Sequence, residues 1–166
     1  MGASDAIAIL LRAIDQAYDR QSWHGTNLRG SLRGVSVRDA ARRPQPGRHN
    51  IWELVVHAAY WKYAVTRRLT GAKRGSFPLA GSNFFKRPER GQATDRAWRD
   101  DLALLGRTHR DLRAAIAAVP AGRLRATAKG ARTTNLFFIQ GIAAHDLYHA
   151  GQIQLIKRLV RGRRIR

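Results

Sequence analysis

The helix-period stripe within TDRAWRDDLALLGRTHRDLRAAI limits what this chain can fold into more than any other feature. Trp98, Leu102, Leu105, His109, Leu112 and Ile116 recur at alternating spacings of four and three. Those spacings place them along one face of a helix and leave the charged residues on the other. Three more stretches repeat the pattern, and no segment shows the two-residue alternation of a strand. The first opens after Ser4, an N-cap type, carries Ile7, Leu10, Leu11, Ile14 and Tyr18 on one face, and ends before Gly25. The second begins at Asn50, where Asn50 and Glu53 have capping-box spacing. It carries Leu54, His57, Trp61, Val65 and Leu69, and stops at Gly71, a C′ glycine. The third starts near Thr94 and is ended by Pro120 and Gly122. The fourth runs over about 134–160, with Lys157, Arg158 and Arg161 in or beside its last turn, favourable for the helix dipole.

Four such helices bury their stripes only by packing against one another, so the expected fold is all-α, a four-helix bundle. The connector between the first two is rich in Gly and Arg and has room for at most one short helical turn, at Leu28 to Leu32. The linker over 72–93 has Pro, Gly and no steady period. Loops of that length are often functional. This one can also run the length of a helix, so the helices it joins need not be antiparallel neighbours.

At 166 residues the chain suits one domain with a single core. We read 1–160 as that domain and 161–166 as a basic tail. No apolar run reaches the ~18 residues of a membrane span, and MGASDAIAIL lacks the basic start of a secretory signal. A cytoplasmic location is the expectation. Cysteine is absent, which excludes disulfides, thiolate ligands and a protein-borne thiol nucleophile. The formal charge of +20, from 31 Lys+Arg against 11 Asp+Glu, attracts phosphates, nucleic acid and acidic membrane surfaces alike. The arginines are spread along the chain, with no interleaved stacking aromatics and no helix-turn-helix. An arginine-rich surface of no specific purpose is the plainer reading.

The fourth helix, AAHDLYHAGQIQLIKRLV, has a second unusual feature. His145 and His149 lie four residues apart, rotated by about 40° and so one turn apart on one apolar face. His57 occupies the apolar stripe of the second helix. Three imidazoles from two facing helices can converge on one divalent ion, leaving coordination positions open as catalytic sites do. Each could equally be a core histidine bonded to a carbonyl or an acid.

The segments ELVVHAAYWKYAVTRRLTG, AWRDDLALLGRTHRDLRAAI and HAGQIQLIKRL, with SWHGTNLRGSLRGV and PQPGRHNIWELVVH, resemble the DinB/YfiT-like superfamily. The likeness extends from the first helix to about Val160, and the histidines of ELVVH and HDLYHAGQ are its specific marks. It implies an up-down-down-up four-helix bundle with a long crossover between the second and third helices. It also implies a divalent metal, zinc or nickel before iron or manganese, held by His57, His145 and His149. Members of the family include metal-dependent transferases that join a low-molecular-weight thiol to an electrophile, and others resemble hydrolases. Many have no assigned reaction.

The chemistry expected of an open three-histidine centre is attack by a metal-bound water or thiolate. With no cysteine in the chain, any thiol arrives as a cosubstrate. Glu53 and Gln152 are the weak catalytic candidates: Glu53 precedes His57 by one turn but also fits the capping box, and Gln152 could bond a ligand or pack between helices. His109 is expected to be a satisfied core histidine, and His24 and His49 surface or turn residues. Trp52, Trp61, Phe84 and Phe85 are candidates for a pocket wall or for plain core, and an arginine near the linker could hold a substrate carboxylate. The alternative is a basic, nucleic-acid-associated or stress-response protein in which the metal is structural. The partners expected are a small-molecule substrate and a possible homodimer, with nucleic acid through charge alone and no membrane.

Overall fold

The computed structural model describes residues 3–162 except 76, 90 and 128–131. These residues form six α-helices and a 3₁₀ turn: α1 (Ala3–Tyr18), α2 (Leu28–Ser31), α3 (Val37–Ala41), α4 (Ile51–Thr70), α5 (Asp95–Ala117), the turn Ala121–Arg123, and α6 (Asn135–Gly162). Among the described residues there is no strand, only an isolated bridge between Thr127 and Thr134. The protein is all-α, as the periodicity predicts. No described helix is long and apolar enough to cross a membrane.

The helix ends follow the local chemistry. At α4 the Asn50 side chain accepts from the Glu53 amide and the Glu53 carboxylate accepts from the Asn50 amide. This reciprocal box satisfies two amides that have no partner within the helix. Gly71 closes α4 at φ 74°, where a Cβ would be strained. Thr94 caps α5 through the Ala97 amide, and the Thr134 hydroxyl accepts from Phe137 N–H at the start of α6. α1 takes in Ser4, so it begins slightly earlier than the sequence suggests.

α2 occupies the predicted short turn. The sequence gives less warning of α3, which a Ser36 cap on the Asp39 amide nucleates within the arginine-rich connector. The basic end of α6 holds this connector in place. Lys157 donates to the carbonyls of Ser31 and Arg33, Arg42 donates to the Val160 carbonyl, and Arg161 pairs with Asp39. Arg161 is therefore helical and anchored, while 163–166 of the expected tail lie outside the described residues. Part of the large positive charge is spent on these internal contacts.

α4 packs against α5 and α6, and α1 packs against the same two helices. The apolar core falls into two clusters. One contains Ile51 to Ala59 of α4, Trp98 to Leu105 of α5 and Ile153 to Val160 of α6. The other contains Leu10 to Ala17 of α1, Val65 of α4, Leu112 and Ile116 of α5, and Ile139 to Ala143 of α6. On α4, α5 and α6 several buried polar side chains fall at or near the junction of the clusters: His57 and Lys62, Thr108 and His109, Asp146 and His149, while Glu53 and Asp101 are buried beside the first cluster. Buried polar groups need partners, and this belt is where the fold's chemistry is concentrated.

Candidate metal centre

His57 projects from α4 toward His145 and His149, which α6 presents one turn apart. The His57 and His145 Nε2 atoms are 3.0 Å apart, and those of His145 and His149 are 3.1 Å apart. One nitrogen from each ring lies within 4.8 Å of the others, so the three could hold a metal ion. Tetrahedral nitrogens at about 2.0–2.1 Å from a zinc-sized ion stand about 3.3–3.4 Å from each other, close to the two separations seen.

The outer ring nitrogens determine which tautomers are possible. His57 Nδ1–H donates to the Asn83 carbonyl at 2.9 Å, and His149 Nδ1–H donates to Gln152 Oε1 at 2.6 Å. Both rings therefore turn an Nε2 lone pair inward. His145 Nε2 faces both lone pairs and can donate to one of them at most, while its buried Nδ1 has no partner. No neutral arrangement of the three rings pairs all three inward Nε2 atoms, whereas a cation at the centre accepts all three lone pairs. The residues present fit a divalent metal.

The electrostatics keep the rings in their ligand form. Burial, with help from His149 and His49 and against the Asn83 carbonyl, lowers His57 to about 4. Burial followed by His149, His57 and Lys62 lowers His145 to about 3. His149 is also lowered by burial, against its bond to Gln152. Neutral imidazole is the form that coordinates metal.

Asn83 is the positioning residue that sequence reasoning missed. It sits in the long linker at φ 66°, the only described non-glycine residue with positive φ. Its carbonyl orients His57, and its side-chain oxygen accepts from Trp61 Nε1 at 3.0 Å. The available clue was an asparagine in a Gly-Ser-Asn run, since asparagine tolerates the left-handed region better than most residues. The next residue, Phe84, lies between two imidazoles, stacking on His57 at 4.0 Å and on His49 at 3.7 Å. His49 is thus more than a turn residue: it lines the site and donates to Glu53 at 2.9 Å.

Glu53 itself is taken up elsewhere, accepting from Arg43 through both oxygens at 2.6 and 2.9 Å. Burial pushes its carboxyl up, but the bonds from Arg43 and His49 outweigh that and hold it low. The bond that orients His57 comes from Asn83, while Gln152 does bond a candidate ligand. Of the four aromatics considered, Trp61 and Phe84 line the cavity beside the triad. Trp52 and Phe85 are core, Trp52 donating to Asp101. His24 is exposed, as expected. His109 is buried against Tyr18, with ring centroids 3.6 Å apart, but its Nδ1 has no partner, so it is not the satisfied core histidine expected. A second feature missed is the fully buried pair of Lys62 and Asp146, an ion pair between α4 and α6 beside His145.

The triad opens into a cavity of about 650 Å³ that also reaches Arg48, Tyr148 and Gln152. A helical fold with a three-imidazole site in a cavity wall defines a class of potential metal-binding proteins. The chain matches the model of the DinB superfamily over residues 20–153 and belongs to that family. Neither a curated protein nor a solved structure matches it.

Proposed function

We propose that this chain is a divalent-metal-dependent enzyme, a low-molecular-weight thiol S-transferase or a hydrolase, centred on His57, His145 and His149. The observation that carries the reading is the meeting of three Nε2 atoms that no set of tautomers satisfies. Zinc or nickel is the proposed ion, since imidazole suits both. Bound there, the ion would supply Lewis acidity at open positions, enough to activate water or a thiol. The chain's own residues do the rest. Asn83 and Gln152 fix the rings of His57 and His149, Phe84 and Trp61 form an apolar wall that limits water, and Arg48 offers a fork for an anionic group on the substrate.

The same reading takes the long helices as an up-down-down-up four-helix bundle. In its support, one apolar cluster draws on the first halves of α4 and α5 with the last part of α6. The other draws on the second halves of α4 and α5 with the early part of α6.

The test is metal content by mass spectrometry on untagged protein purified without chelator or nickel resin, beside His145→Ala. About one divalent ion per chain, lost in the variant, is expected. If the native protein held no metal and took up none on titration with zinc, nickel or manganese, the proposal would fall.

A further inference from the structure

A second cavity, of about 960 Å³, lies across the polar belt between the end of α1, α2 and α5. Its size is within the roughly 300–1,000 Å³ of small-molecule sites. Its composition is unlike that of the triad cavity. Arg29, Arg33, Arg107 and Arg110 line it against one acid, Asp19, which pairs with Arg29 at 3.5 Å. Among the described residues no carboxylate lies within ion-pair reach of Arg33, Arg107 or Arg110. Tyr18 and His109 line it as well, and they are only 6 % and 5 % exposed while the arginines are exposed. The stacked rings therefore form the floor and the guanidinium groups the rim.

His109 is the second, independent observation. Its Nδ1 is buried without a hydrogen-bond partner, and an orphaned buried polar atom in a native fold calls for an explanation. Burial first, then Lys62 and Arg113, lowers this imidazole to about 3, so the ring enters the floor uncharged and leaves the positive charge of the site to the arginines. Arg110 Nη1 and the Tyr18 hydroxyl meet at Gly106, where a Cβ would stand at the ordinary contact distances of 3.6 and 3.8 Å from them. Guanidinium groups on two elements around one space match oxyanions through paired N–H donors. A group with several anionic oxygens uses more of them than a single carboxylate can.

We propose that this cavity binds a small phosphate-bearing anion, held by Arg33, Arg107 and Arg110 over the Tyr18–His109 floor. The site is separate from the histidine triad and does not depend on a metal.

The test is calorimetric titration with pyrophosphate and with a sugar monophosphate at 150 mM salt, where the field of the distant charges is screened within about 8 Å. Histidine-selective NMR runs alongside. One saturable site per chain is expected, with the His109 ring resonances shifting and those of His57, His145 and His149 unmoved. Arg107→Ala with Arg110→Ala weakens binding at least ten-fold, and Arg33→Ala on the opposite wall weakens it several-fold. Arg99→Ala with Arg158→Ala removes the same charge from exposed helix positions outside the cavity and changes affinity less than two-fold. Unsaturable binding, equal losses in both double variants, or shifts at the triad in place of His109 would overturn the proposal. Citrate binding as tightly with the same His109 shift would overturn its phosphate class.

Discussion

Lys62→Met isolates the most completely buried ion pair among the described residues. Lys62 is 0 % and Asp146 1 % exposed, so neither end of their ion pair is shared with water. Removing the ammonium leaves a buried carboxylate whose Oδ1 already has no partner. Breaking such a pair costs about 3–5 kcal/mol, whereas replacing both members with apolar side chains is often neutral or stabilising by about 1–4 kcal/mol. For 166 residues the whole stability is on the order of 8–25 kcal/mol, so the single variant forfeits a large fraction of it. Burial raises the Asp146 carboxyl and Lys62 opposes that rise. Without Lys62 the carboxyl rises further. A raised folded-state value means stability that is present at low pH and lost as pH rises through it. The gap between wild type and Lys62→Met should therefore widen from pH 5.5 to pH 8. Urea denaturation followed by circular dichroism, with chelator present so that metal binding does not enter, measures both gaps. Lys62→Met with Asp146→Leu should recover most of the loss at pH 8. A single-variant loss under about 1 kcal/mol at pH 8, or a double variant no better than the single, would refute the reasoning.

Asn83 gives a test of how His57 is aimed. Asn83→Gly suits the left-handed backbone and loses only the Trp61 bond, whereas Asn83→Ala loses the same bond and keeps a Cβ at φ 66° without the short polar side chain that lets asparagine tolerate that region. Loss of an orienting partner typically weakens a metal ligand set about 10–100-fold. Competitive zinc titration should show Asn83→Ala weaker by about ten-fold and Asn83→Gly within a few-fold of wild type; equal affinities in all three would remove the orienting role. His109 is depressed to about 3 in the folded protein, against about 6.5 unfolded. Its share of stability is present above pH 6.5 and lost as pH falls toward 3, at up to about 1.4 kcal/mol per pH unit. His109→Gln should flatten acid denaturation over that window, and parallel acid profiles would show that the ring already protonates in the fold.

Much of the architecture was legible from the chain because a helix writes its buried face into the spacing of neighbouring residues. Trp98, Leu105, His109, Leu112 and Ile116 are buried along α5, and Asn50, Glu53 and Gly71 bound α4 through local contacts. The triad was legible for the same reason, with a family resemblance added: His145 and His149 share a face by spacing, and His57 occupies a core stripe. α3 escaped because five residues carry too little period to stand out among the arginines around them.

What tertiary structure alone decided is which groups meet across the sequence. Asn83 lies 26 residues from His57, and nothing local shows that its carbonyl will accept a hydrogen bond from that ring. Lys62 and Asp146 lie 84 residues apart, with nothing local to join them; packing of α4 on α6 removes both from water and makes them a pair. The cavity walled by Arg33 of the connector and by Arg107 and Arg110 of α5 is likewise a product of packing. Period and capping depend on residues a turn apart, so the sequence determines them. Desolvation and charge pairing depend on what the fold brings within a few ångströms, so only the folded chain decides them.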